Sequence, residues 1–76
     1  MFPNVVEYYT LLGQASIRQN KLKEAALAFA RSLSLSPEKN VDAYIGMALV
    51  YAQLNDYGKA REYLEMVTVP VLRQAP

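Results

Sequence analysis

Glu62 and Glu65 stand three residues apart, close enough on a helix to share one face. Two carboxylates so placed could divide general acid and general base work. Lys59 and Arg61 lie beside them, however, and the four together read as a solvated face with local ion pairs. The chain contains no His and no Cys. The usual nucleophile–base pairs are therefore missing, as are the commonest zinc ligand and any thiolate-held metal. Ser32, Ser34 and Ser36 alternate in front of Pro37, which is the composition of a helix stop rather than of a nucleophile. Gly13, Gly46 and Gly58 form neither of the glycine-rich patterns that cradle phosphate. Enzyme chemistry, a resident cofactor, a metal site and a small-molecule substrate are all read as absent.

Six tyrosines could stack on nucleic-acid bases. Tyr9, Tyr44, Tyr51 and Tyr57 fall on packing positions of the pattern described below, which places them in the core or half-buried. Arg18, Lys21 and Lys23 make a small basic patch at one turn, with no wider stripe around it. Eight Lys and Arg against seven Asp and Glu leave a net charge of +1. That balance offers no electrostatic case for nucleic acid or an anionic membrane. The apolar runs are far shorter than the roughly 20 residues that span a bilayer. The opening "MFPNVVEYYTLL" lacks the basic start and long apolar core of a secretory signal. A cytoplasmic location is the default that these features leave.

The elements that position these residues are helices. Asn4 is placed as an N-cap with Glu7 three residues on, the spacing of a capping box. Val5, Tyr9, Leu12, Ser16 and Gln19 follow helical spacing, and Tyr8, Leu11 and Ala15 widen the face. Asn20 should stop this helix, since asparagine tolerates the left-handed conformation. Leu22, Ala25, Ala26, Phe29, Ser32 and Leu33 carry a second helix as far as Pro37.

Sliding the sequence by 35 residues shows that this unit occurs twice. Val6 falls on Val41, Glu7 on Asp42, Tyr9 on Tyr44, Leu12 on Met47 and Gly13 on Ala48. Asn20 falls on Asn55, Leu22 on Tyr57, Ala25 on Ala60 and Phe29 on Leu64. The coinciding positions are those that pack, cap or require small side chains. The sequence predicts helices over residues 4–19, 21–35, 40–54 and 56–69. The fold class is all-α, with repeats at 4–39 and 40–69 and a short tail at 70–76. In a stack of helix pairs a middle helix touches neighbours on two sides, which accounts for the alanine-rich segment 20–37. Ala25 and Ala60 are placed where helix axes come closest, with Gly13 and Ala48 as their counterparts.

These residues resemble the tetratricopeptide repeat, whose signature W-x2-L-G-x2-Y…A-x3-F…P spans about 34 residues. Tyr9, Leu12, Gly13, Ala25, Phe29 and Pro37 match or conservatively replace it in the first copy, and Ser16 departs where tyrosine is usual. Tyr44, Met47, Ala48, Tyr51, Ala60 and Leu64 fit in the second, where Leu72 takes the place of Pro37 and Pro70 comes two residues early. One extra residue near 39–40 explains the longer period. The resemblance implies two helix-turn-helix repeats stacked as a short right-handed superhelix. It also implies a protein–protein interaction module, adaptor or chaperone-like, that holds a peptide or helix in the concave groove of the first (A) helices.

Helical geometry assigns the groove face to Glu7, Thr10, Gln14, Ile17 and Arg18 in the first repeat. The second repeat contributes Asp42, Ile45, Leu49, Ala52 and Gln53. Ile45 and Leu49 make its centre apolar, or else they are buried against a further helix, including one from another copy of the chain. A family subclass grips C-terminal carboxylates with Lys, Asn and Arg on this face; Thr10, Gln14 and Gly46 occupy those places, so that activity is not expected. The alternative function is a self-assembling structural unit, a homodimer or stacked oligomer. A third reading takes the chain as a piece of a longer repeat array, against which the initial Met1 weighs. Repeat stacks need about three units and polar outer faces. Met66, Val67, Val69, Val71 and Leu72 outnumber the charges after residue 65, so part of that surface should be left for a second chain or a partner.

Overall fold

A computed structural model describes residues 4–38 and 40–74 of the chain, and for 68–74 the backbone alone. Its elements are α1 (Val5–Arg18), α2 (Leu22–Leu35), α3 (Val41–Gln53) and α4 (Tyr57–Gln74), with no strand among the described residues. Asn4 caps α1 as expected, its side-chain oxygen accepting the Glu7 N–H at 2.8 Å. Asp56 does the same for α4, accepting the Lys59 N–H at 3.2 Å.

The two tight turns are built alike. Asn20 and Asn55 have φ of 61° and 64°. After α1, the Asn20 N–H bonds the Ile17 carbonyl at 2.9 Å and the Lys21 N–H bonds the Ser16 carbonyl at 2.8 Å. After α3, Asn55 and Asp56 repeat these bonds to Ala52 and Tyr51 at 3.0 and 2.8 Å. A left-handed residue followed by this bond pair is a Schellman stop, which satisfies the last free carbonyls and reverses the chain. Helix α2 ends differently. Ser36 has φ −145° and ψ 87°, outside the helical region as the following Pro37 requires. Asn40, in front of α3, makes no side-chain cap for α3. Its amide instead donates to the Ser32 and Ser36 carbonyls at 3.2 and 3.0 Å, closing the end of α2.

Helix α1 packs on α2, α3 on α4 and α2 on α3, while α1 also touches α3. The chain is therefore all-α, in two helical hairpins that stack. The core is Ala25, Phe29, Ala43, Met47 and Val50. Phe29 is fully buried and takes its place from both sides. A Cβ at Gly13 on α1 would lie 2.7 Å from its ring, and one at Gly46 on α3 would press on the same ring. Both glycines thus admit one aromatic ring between two helix backbones. Ala25 and Ala60 are buried, as small residues at close crossings should be. The side chain that meets Gly13, however, is Phe29.

Helix α4 differs from its expected extent. It runs past Val69 and through Pro70 to Gln74, so residues 70–74 are helical and do not form a separate tail. Proline has a helix-compatible φ, and what it forfeits is its own N–H bond and a clear fit against the carbonyl four residues back. The expectations for the side chains of Val69, Val71 and Leu72, for the insertion at residue 39 and for residues 75–76 lie outside the described residues.

Candidate functional site

Glu7, Gln14 and Arg18 on α1 and Asp42, Leu49 and Gln53 on α3 are all exposed, as a groove face requires. Ile17 is half-buried and packs against the core cluster. Thr10 is buried, at the floor of a cleft that Glu7 and Asp42 also line. Its hydroxyl lies 2.8 Å from that of Ser32 on α2, and both reach the Val6 carbonyl, at 3.1 and 3.3 Å. The Asn40 amide completes the network by donating to the Ser32 hydroxyl at 3.0 Å. A serine fully buried among helices needs such partners, because an unpaired buried hydroxyl costs about 1–3 kcal/mol. The ends of α1 and α2 and the residue in front of α3 are thereby tied at one point by Thr10, Ser32 and Asn40.

Above this network lies an open cleft of about 470 Å³ where the starts of α1 and α3 meet the end of α2. Glu7 and Asp42 both line it, with Asn4, Val5 and Leu35. The structure thus brings the two acidic groove residues together. Leu49 lies two turns beyond Asp42 on the same face, and Arg18 and Gln53 close the far end of their helices. Ile45 is more than a third exposed, yet its counterpart one repeat earlier is the buried Thr10. Ile45 stands one turn before Leu49 on α3.

The geometry is that of two stacked helical hairpins with an exposed face on their first helices. A family model described as tetratricopeptide repeat matches residues 6–69. The chain belongs to the tetratricopeptide repeat family. Comparison with curated proteins and with solved structures gave no match. Tetratricopeptide repeats generally mediate protein–protein interaction.

The two tetratricopeptide repeats differ at the signature tyrosine. In the second, Tyr51 stacks on Tyr63 at 5.7 Å between ring centres, Tyr44 flanks Tyr63 at 6.4 Å, and the Lys59 ammonium sits 5.2 Å above Tyr51. Burial, then the neighbouring Tyr51, raises the Tyr63 phenol above the ordinary 10.0. In the first repeat Ser16 and Ala28 occupy the places of Tyr51 and Tyr63. A shallow cleft of about 320 Å³ remains there, lined by Tyr9, Leu12, Ala28 and Arg31 among others. Tyr57, expected at least half-buried, is 66% exposed. The reason is positional: Leu22, its counterpart, packs against the core that α3 helps to close. Arg61 pairs with Glu65 at 3.0 Å, both well exposed, as their spacing suggested. Among the described residues no helix is long and apolar enough to cross a membrane, and no three potential ligands gather as a metal site.

Proposed function

We propose that the chain is an adaptor or chaperone-like module that holds a peptide or helix on the shared face of α1 and α3. The observation that carries this reading is the exposure of Leu49, at 49%, on the same helical face as Asp42 and Gln53. A large apolar side chain held at mid-helix between polar neighbours is the usual centre of a recognition surface, with a polar rim around it. Glu7 and Asp42 at the start of the face favour a Lys or Arg on the partner, and Arg18 at the far end favours a carboxylate. Complementary charge sets the direction in which the partner lies, while contact with Leu49 supplies most of the affinity. Gln14 and Gln53 offer hydrogen bonds along the way.

Selection from a displayed library of random peptides tests the proposal. Enriched sequences should carry a basic residue at fixed spacing from an apolar one. Leu49→Asp should abolish their binding with an unchanged circular dichroism spectrum, and Glu7→Gln with Asp42→Asn should weaken it in a salt-dependent way. Peptides that bind Leu49→Asp as well as they bind the native chain would place recognition elsewhere.

A further inference from the structure

The junction between α2 and α3 has a counterpart on each outer side of the pair of repeats, and both counterparts are exposed. On α3 the face turned to α2 comprises Ala43, Gly46, Met47 and Val50, all buried. The same positions on α1 are Tyr8, Leu11, Leu12 and Ala15, and all four are exposed. On α2 the junction is centred on Phe29, with no exposure; its counterpart on α4 is Leu64, 45% exposed. Beside it, Ile45 occupies on α3 the position that Thr10 holds on α1. The chain therefore presents two apolar faces whose equivalents already fit each other inside it.

We infer that a second copy of this chain covers these faces, the Leu64–Ile45 face of one copy docking on the Tyr8–Leu11 face of the next. The apolar character of the paired positions supports the match. Phe29 fits the inner junction only because Gly13 and Gly46 leave room for its ring. At the outer junction leucine replaces that ring, Ala48 replaces Gly13, and Leu11 replaces Gly46. The outer contact is leucine on leucine, and because Leu11 adds more volume than Leu64 gives up, the two helices meet there at a wider spacing than α2 and α3 do. Polarity follows the same exchange. The buried Thr10–Ser32 hydroxyl pair of the inner junction becomes Ile45 and Val67, a pair with no hydrogen bonds to satisfy. Arg61, in the place of Ala26, is drawn aside by Glu65 at 3.0 Å. The two faces are different surfaces, so the contact is heterologous and continues the stack rather than closing on itself.

The test is light scattering coupled to size exclusion on the purified chain, from micromolar to near-millimolar concentration. The native chain should gain mass with concentration. Leu64→Asp and Leu11→Asp should each remain monomeric and helical, since both positions are exposed. Mixed in equal amounts, they should form a two-chain species that grows no further, because each retains one good face. Leu49→Asp should assemble like the native chain, which separates this contact from the peptide-binding face. Should Leu64→Asp lose helicity, Ile45→Lys takes its place on the same face. Three results would overturn the inference: a native chain that stays monomeric throughout, single variants that still assemble, or a mixture of the two that remains monomeric.

Discussion

Gly13→Ala puts the clamp around Phe29 to its most direct test. Helix propensity alone predicts a gain of about 1 kcal/mol, because alanine loses less backbone freedom than glycine in a helix. The structure predicts the opposite sign. The new methyl carbon would lie 2.7, 2.7 and 2.8 Å from three carbons of the Phe29 ring, against 3.4–4 Å for ordinary contact. The ring has no exposed side toward which to move, and Gly46 blocks it from α3. Overpacking of this kind costs about 1–3 kcal/mol, so after the propensity gain the net destabilisation should be up to about 2 kcal/mol. A chain of this length has a total stability on the order of 5 kcal/mol. With a urea slope of about 1 kcal/mol per molar, the midpoint should fall by up to roughly 2 M, which urea titration followed by circular dichroism resolves. Phe29→Leu supplies the control, since Leu64 beside Ala48 shows the chain already using leucine next to alanine at this position of the repeat. The double variant Gly13→Ala, Phe29→Leu should be more stable than the sum of the two changes predicts, by at least about 1 kcal/mol. A stabilising Gly13→Ala, or strict additivity in the double variant, would refute the clamp.

Asn20→Gly and Asn55→Gly should be neutral or slightly stabilising, whereas Asn20→Val should cost about 1–2 kcal/mol in the same urea titration, because a branched residue resists the φ of 61°. Ser32→Ala should cost about 1 kcal/mol through the lost bonds of its hydroxyl, since Thr10 keeps the Val6 carbonyl and the Asn40 amide keeps the Ser32 and Ser36 carbonyls, and Thr10→Val combined with it should cost less than the two single changes added together. The Tyr63 phenol should ionise above pH 10.0 in an ultraviolet titration, since burial, then the neighbouring Tyr51, raises its folded-state value. The folded chain then holds a proton that the unfolded chain has lost, so this contribution is complete below pH 10.0 and disappears as pH rises through the folded value. Tyr63→Phe should flatten that alkaline decline.

The exposed face also shows where sequence reasoning stops. Glu7, Gln14 and Arg18 share a side of α1 by spacing alone, and they are exposed as that spacing implied. Thr10 has the same spacing but a different fate, because Ser32 stands across from it on α2. A buried serine in the middle of the second helix was the available signal, though it signifies nothing until its neighbour is known. Gly46 was overlooked for a related reason. It matches no small residue one repeat earlier, where Leu11 stands, and its purpose appears only when the Phe29 ring is seen to reach α3. Asn40 resembles a cap for the helix that follows it, yet its amide bonds the helix before it. Pro70 carries the composition of a stop inside a helix that continues.

The sequence by itself determined the helices, three of the stops and the repeat. These rest on local physics: apolar spacing at the helical period, asparagine in a left-handed turn, and the restriction that Pro37 places on Ser36. The recurrence of that local pattern at a fixed offset was enough to indicate the family. Tertiary structure alone decided which equivalent positions have equivalent surroundings. Phe29 and Leu64 occupy one place in the repeat, but one is sealed between two backbones and the other lies nearly half open. Thr10 and Ile45 differ in the same way. A repeat specifies the shape of each unit, whereas burial depends on what stands beside it, and that neighbour is set by packing between helices distant in the chain.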